Sequence, residues 1–185
     1  MVLLETDRLI LRNVQPQDAE TMFDYRNNDL CARYQRGQRK DLDGIRTLLQ
    51  NHAQDTLSEQ KNCMIAVALK DTNEMVGEII LMPSENTFSY GYTFSYKHHR
   101  KGYAYEAAKA FFDYLFYQKG ARRIYAYTED YNLPSQNLCK KLGMRQEGMF
   151  MEFVSFVNDV EGNPIYENTM QWAIMKKEWD AVRYT

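Results

Sequence analysis

Residues 88–118 constrain this chain more than any other stretch. An aromatic, strand-like run, Phe88 to Phe94, leads through His99-Arg100-Lys101-Gly102 straight into an alanine-rich helical pattern from about Tyr103 to Gln118. A glycine at that junction lets the backbone turn sharply and lets a ligand approach it closely. The first amides of the new helix have no partner within the helix, and its dipole favours negative charge at that end. Arg100 and Lys101 add two cations beside them. The combination describes an anion cradle fit for a pyrophosphate. It lacks the Gly-Lys-Ser/Thr ending of a nucleotide P-loop and the G-x-G-x-x-G of a dinucleotide fold. A plain basic helix start with a glycine turn is the alternative from these residues alone.

Elsewhere the pattern mixes helices and strands. Leu9 to Val14 predicts a strand, and Pro16 and Asp18 open a helix with Ala19, Met22, Phe23 and Arg26 at helical spacing. Asn27 to Lys40 reads as polar and irregular, and Asp41 to Glu59 as a second helix. Cys63–Leu69 and Glu74–Met82 form a strand pair across the turn Asp71-Thr72-Asn73. The long helix stops at Gly120, and Arg122–Thr128 is a strand. A helix opens at Pro134 and ends at Gly143. Met144–Val157 and Ile165–Lys176 are the last strands. Periodicity alone yields an α+β or α/β class. With no repeat, linker or composition shift, residues 1–185 read as a single domain.

Composition removes several function classes. A formal net charge of -2 argues against a nucleic-acid partner. Cys31, Cys63 and Cys139 are far apart and form no C-x-x-C, so neither a disulfide frame nor a metal site is indicated. No signal segment and no long apolar run occurs, so a cytoplasmic protein without a membrane partner is expected, either monomer or homodimer.

The loop resembles the acyl-CoA loop of the GNAT superfamily of N-acyltransferases, Gln/Arg-x-x-Gly-x-Gly/Ala, with Ala104 closing it and His99 standing where Gln or Arg is usual. Gly91-Tyr92, Glu106-Ala107, Asn132-Leu133-Pro134-Ser135, Lys141-Leu142-Gly143-Met144 and Glu147-Gly148 follow the family's order. The opening Glu5-Thr6-Asp7-Arg8-Leu9-Ile10-Leu11-Arg12 and the closing Lys177-Glu178-Trp179 resemble the branch containing the ribosomal-protein-alanine N-acetyltransferases and several antibiotic and polyamine acetyltransferases. The resemblance implies a single-domain GNAT fold. Its mixed, mostly antiparallel sheet would have about six to seven strands, flanked by about four helices, with splayed central strands. It also implies acetyl-CoA as co-substrate, no metal, and transfer of an acetyl group to a primary amine of a peptide N-terminus or small amino compound.

Carried onto this chain, the resemblance assigns cofactor binding to His99, Arg100, Lys101, Gly102, Tyr103 and Ala104 for the pyrophosphate. Tyr92, Thr93 and Phe94 offer a strand edge to the pantetheine arm, and a backbone N–H near Thr93 or Phe94 polarises the thioester carbonyl. Asn132 corresponds to the asparagine that holds pantetheine, and equally to an ordinary helix N-cap. Ser135 is the expected general acid and also touches the cofactor; Cys139, on the same helix face, is the other candidate and reads better as a packing residue. The usual strand glutamate is replaced by Ser89. That leaves Glu78, Glu152 and the Tyr90/Tyr92 pair as base candidates, although Glu78 reads better as an outward-facing solubilising charge on a strand. Because the base is altered, a non-catalytic acyl-CoA sensor or regulatory module is the competing reading. Arg33, Arg36, Arg39 and Lys40 against Asp29 in the loop after the first helix predict attraction of a carboxylate- or phosphate-bearing acceptor and repulsion of a polyamine, and the absent strand glutamate predicts an amine of lowish pKa.

Overall fold

The computed structural model describes residues 1–34, 40–57 and 61–184. One eight-stranded sheet runs in the order β1-β2-β3-β4-β5-β6-β8-β7. Its strands are β1 (Val2–Glu5), β2 (Leu9–Asn13), β3 (Cys63–Leu69), β4 (Met75–Ser84), β5 (Thr87–Phe94), β6 (Arg123–Glu129), β7 (Arg145–Asn158) and β8 (Pro164–Met175). The helices are α1 (Ala19–Asn27), α2 (Asp29–Ala32), α3 (Leu42–His52), α4 (Tyr103–Tyr117), α5 (Leu133–Lys141) and α6 (Lys176–Val182). All neighbours are antiparallel except β5 and β6.

The mixed class and mostly antiparallel sheet agree with the sequence, but the element counts are higher than expected. β1 and α2 are four residues each, too short to show a period. α2 lies inside the stretch read as irregular, started by the Asn28 side chain accepting from the Leu30 amide. α6 follows β8 without a loop, so its onset has no turn signal; the Glu178 carboxylate accepts the Met175 amide there. α3 stops at His52 rather than running on. Asp55 leaves the helical path to serve as a bracket: its carboxylate accepts the Met64 amide and its carbonyl accepts from Asn13 Nδ2. The expected last residues of that helix, 58 and 59, lie outside the described residues.

Two apolar cores lie on opposite faces of the sheet. On one, Ala107, Ala108, Phe111, Phe112, Leu115 and Phe116 form a continuous stripe on α4, the spacing a helix needs to bury one side. Phe112 meets Tyr90 edge-on at 5.3 Å and Trp179 of α6 at 5.5 Å. Gly120, at φ +65, turns the chain out of the helix as expected. The other face is covered over β3 and β4 by α1, α2 and α3, through Met22, Tyr25, Cys31, Ile45 and Leu49.

The feature that positions the site is a short seam. β5 and β6 pair only at Thr87↔Arg123, Phe88↔Ile124 and Ser89↔Tyr125. Beyond Ser89 the strands part. β5 stays with β4 up to Gly77↔Phe94, while β6 follows β8 to Glu129↔Thr169. Gly77 sets the path of the β5 end, since a Cβ there would lie 2.5 Å from the Thr93 carbonyl oxygen. The result is a slot lined by the free edge of β5 from Tyr90 to Phe94 and opening toward the start of α4.

Candidate active site

The loop at the mouth of the slot is built from strained backbone. Arg100 (φ 61) and Gly102 (φ 82) are both left-handed, with Lys101 between them. For a non-glycine residue that conformation costs about 1–2 kcal/mol, and such strain clusters at ligand clamps. Gly102 is the N-cap of α4 and has no side chain to offer as a cap. The first intrahelical bond runs from the Glu106 amide to the Gly102 carbonyl, so the Tyr103, Ala104 and Tyr105 amides precede it.

The N-terminal signature locks this loop in place. Glu106 accepts from the Thr6 hydroxyl at 2.6 Å, the Arg8 amide at 3.0 Å and Arg8 Nε at 2.7 Å. Arg8 Nη1 donates to the Lys101 carbonyl at 3.0 Å, and its guanidinium lies 4.7 Å over the Tyr103 ring. Burial pushes the Glu106 carboxyl up, but the Thr6 and Arg8 donors outweigh that and hold it below the usual carboxylate range. A carboxylate at a helix start would compete with a phosphate. Paired with Arg8, it leaves Arg100 and Lys101 exposed to an incoming anion. In the sequence, Glu106, Thr6 and Arg8 are legible only as parts of the family's signatures.

Inside the slot, the Tyr92 hydroxyl donates to Ser135 Oγ at 3.0 Å, joining β5 to α5. Burial raises the Tyr92 phenol above its ordinary value, and the Ser135 contact pulls the other way. The Tyr90 ring lies 5.5 Å from that of Tyr92, and its buried hydroxyl has no hydrogen-bond partner among the described residues. Cys139 is buried, and burial pushes its thiol up to about 12, as suits a packing residue. Asn132 does act as the N-cap of α5: its Oδ1 accepts the Ser135 amide at 3.2 Å, while Nδ2 donates to Glu129 at 3.0 Å. An amide side chain has one further hydrogen and one further lone pair for a ligand. His99, expected at the pyrophosphate, turns back instead. Its Nε2 donates to the Phe94 carbonyl at 2.9 Å, because a carbonyl can only accept, and this fixes the end of β5.

Glu78 overturns its reading as an outward solubilising charge, being 0 % exposed. It lies opposite Thr93 in the β4–β5 ladder. Oε1 accepts from Arg26 Nη2 at 2.5 Å and Nε at 3.0 Å, whereas Oε2 has no partner among the described residues. Burial pushes the Glu78 carboxyl up to about 8, with the Thr93 hydroxyl pulling the other way, and lowers Arg26 to about 10. Arg26 was legible as a cation on an otherwise apolar helix stripe, but its partner was not. Phe23, read on the same stripe, is in fact exposed. Of the other base candidates, the Tyr90/Tyr92 pair lies inside the slot and Glu152 is exposed on a bulge of β7; Ser89, standing where the usual glutamate is missing, closes the apex of the slot.

The chain as a whole is similar to known proteins. The Acetyltransferase (GNAT) domain family matches residues 8–145. The chain belongs to the GNAT acetyltransferase family. An uncharacterized N-acetyltransferase of Bacillus subtilis, YnaD, is 28% identical over 180 residues, covering 96% of this chain and 99% of its own. A second from that organism, YoaA, is 30% identical over 156 residues, covering 82% and 88%. The crystal structure of a GNAT-family acetyltransferase from Bacillus anthracis superposes with a TM-score of 0.81 at 26% identity, covering 96% of this chain and 99% of that one. GNAT membership makes this chain an acetyl-CoA-dependent acyltransferase. The resemblance to the ribosomal-protein-alanine branch is not made more specific by these relatives. Among the described residues no helix is long and apolar enough to cross a membrane.

Proposed function

We propose that this enzyme acetylates the primary amine of a peptide N-terminus or small amino compound, with Ser135 as proton donor and Glu78 as proton acceptor. The observation that carries the reading is the Tyr92–Ser135 bridge, set between the opened strands and below an uncapped helix start. When bound, acetyl-CoA supplies the activated acetyl thioester. The residues present fit that ligand. The Tyr103–Tyr105 amides with Arg100 and Lys101 hold the pyrophosphate, and Gly102 leaves room for it. The β5 edge from Tyr92 to Phe94 pairs with the pantetheine amides as an added strand does, assisted by Asn132, and the Phe94 amide, on the free edge, is the donor for the carbonyl oxygen, since the Thr93 amide turns to β4. Ser135 Oγ already accepts from Tyr92, so its own proton is free to go to the leaving sulfur. Glu78 Oε2 takes the amine proton through water.

A base near 8 suits the acceptor class. An α-amino group of pKa roughly 7.7–8.0 costs about 1.4 kcal/mol to deprotonate at pH 7, against about 4.6 for a lysine amine. On the acceptor side, Arg33 and Lys40 flank the segment after α2, and Arg36 and Arg39 lie outside the described residues. Cations there attract a carboxylate- or phosphate-bearing acceptor and oppose a polyamine. Thiol release from acetyl-CoA at pH 7 should show higher kcat/KM for short peptides or amino acids than for spermidine or an aminoglycoside. The reverse order would sink the acceptor assignment. Tight acetyl-CoA binding without turnover on any amine would favour the sensor reading.

The role of Glu78 has its own signature. A base works only when deprotonated, so kcat should rise as pH increases through about 8. Glu78→Gln should flatten that limb and lower the plateau by about 10²-fold. A Glu78→Gln profile that keeps the limb would move the base elsewhere.

A further inference from the structure

The last residues of β5 do not all face the slot in the same way. The Ser95 amide donates to the Val76 carbonyl at 2.9 Å, and the register sets Phe94 opposite Gly77 and Thr93 opposite Glu78. Hydrogen-bonded and unbonded pairs alternate along an antiparallel ladder. Thr93 and Ser95 therefore turn their amides to β4, whereas Tyr92 and Phe94 turn both N–H and C=O to the slot. At Tyr92 both groups can serve an added strand. At Phe94 the carbonyl is already taken. His99 Nε2 donates to it at 2.9 Å, and Cys31 Sγ of α2 donates to the same oxygen at 3.4 Å. The 94–95 peptide is thus pinned at both ends, its N–H on Val76 and its C=O on His99 and Cys31. The Phe94 N–H, two bonds away, is left facing the slot with its direction set.

The ring that completes this arrangement belongs to the anion loop. His99 directly precedes Arg100, at φ 61, and stands three residues before Gly102, at φ 82. Its own amide closes the turn after β5 on the Tyr96 carbonyl at 3.4 Å. The side chain thereby forms a strut from the loop back to the strand end. Core packing does not call for it, since His99 is exposed.

We propose that His99 is a positioning residue that couples the pyrophosphate loop to the Phe94 amide, holding that amide ready for the thioester carbonyl oxygen. This rests on the Phe94 amide being the carbonyl's donor, as proposed above. A donor fixed in advance costs no reorganisation when charge develops on the oxygen. Binding energy gained at a distant part of the ligand can be spent on such geometry, and the gain then appears in kcat rather than in affinity.

Acetyl-CoA isotope-labelled in its acetyl carbonyl reports the contact in difference infrared spectra of the intact protein. A carbonyl whose oxygen accepts a strong hydrogen bond stretches at lower frequency than in free acetyl-CoA. The wild type should show this downshift. His99→Leu should lose most of it while keeping acetyl-CoA affinity within ~3-fold of wild type. Its kcat should fall by ~10-fold or more, against the roughly 10²–10³-fold that loss of a whole carbonyl donor costs. His99→Gln should recover both, because glutamine returns an N–H donor at the same ε position. Should His99→Leu fail to fold, His99→Ala gives the same reading. An unshifted carbonyl in the wild type removes Phe94 as donor, and the inference with it. A downshift that His99→Leu keeps leaves Phe94 in place and overturns the role of His99 alone. A His99→Leu protein that loses acetyl-CoA affinity with kcat unchanged also overturns it, and returns the ring to the pyrophosphate.

Discussion

Gly102→Asp abolishes acetyl-CoA binding and leaves the protein folded: this is the largest expected effect on ligand affinity. Gly102 is exposed and sits at φ 82. Aspartate tolerates the left-handed region better than most residues, so the backbone strain is modest. A new Cβ would meet little more than Arg8 Nη2 at 3.4 Å. The harm falls on the ligand. The carboxylate occupies the space in front of the α4 amides, satisfies them as an N-cap, and pulls Arg8 away from Glu106. An anion is then repelled where it was attracted. Calorimetric titration should show at least a ~10²-fold loss, equal to about 2.7 kcal/mol, with an unchanged circular dichroism spectrum. Wild-type affinity in a folded Gly102→Asp protein would remove the pyrophosphate from this loop.

Ser135→Ala should lower kcat and kcat/KM together by ~10²–10⁴-fold, the usual worth of general acid help, with acetyl-CoA affinity nearly unchanged. The substitution spares the α5 N-cap, because Asn132 Oδ1 accepts the residue 135 backbone amide and not its side chain. It removes the acceptor of the Tyr92 hydroxyl. Tyr92→Phe is therefore the companion variant. If Tyr92 only orients Ser135, it should cost about 10-fold, less than losing the donor itself. Full kcat in Ser135→Ala, with loss in Cys139→Ala, would pass the role to the thiol.

Chemistry carried by the backbone was the more legible in the sequence. The cradle needs a glycine that turns and a helix that starts, and both leave marks within five residues. The Asn132 cap and the Gly120 stop were visible for the same reason. Contacts joining distant segments were not. Glu78 and Arg26 are 52 residues apart, and neither spacing nor composition says that a strand carboxylate and a helix guanidinium will share the interior. The seam between β5 and β6 was expected only through family resemblance, since where two parallel strands stop pairing depends on the path of their outer neighbours. Gly77 is part of that cause, yet in the sequence it is an unremarkable glycine within a strand. His99 fell between the two cases: its place in the motif was legible, but not that its ring returns to the Phe94 carbonyl.

The three-rung seam bears on how this chain reaches its native state. It divides the sheet into two antiparallel meanders, residues 2–94 and 123–175. Within them the β1–β2, β3–β4, β4–β5 and β7–β8 ladders join strands near in sequence and can form early, whereas β2–β3 and β6–β8 must close longer loops. Joining them falls to three parallel rungs and to the α4 core, which must bridge both. A ligand seated in the slot touches both meanders and acts as a removable staple. At a concentration 100 times its Kd it adds about 2.7 kcal/mol against their separation. Amide exchange in the two meanders should therefore slow together when acetyl-CoA is added, although only one edge of each meets the ligand.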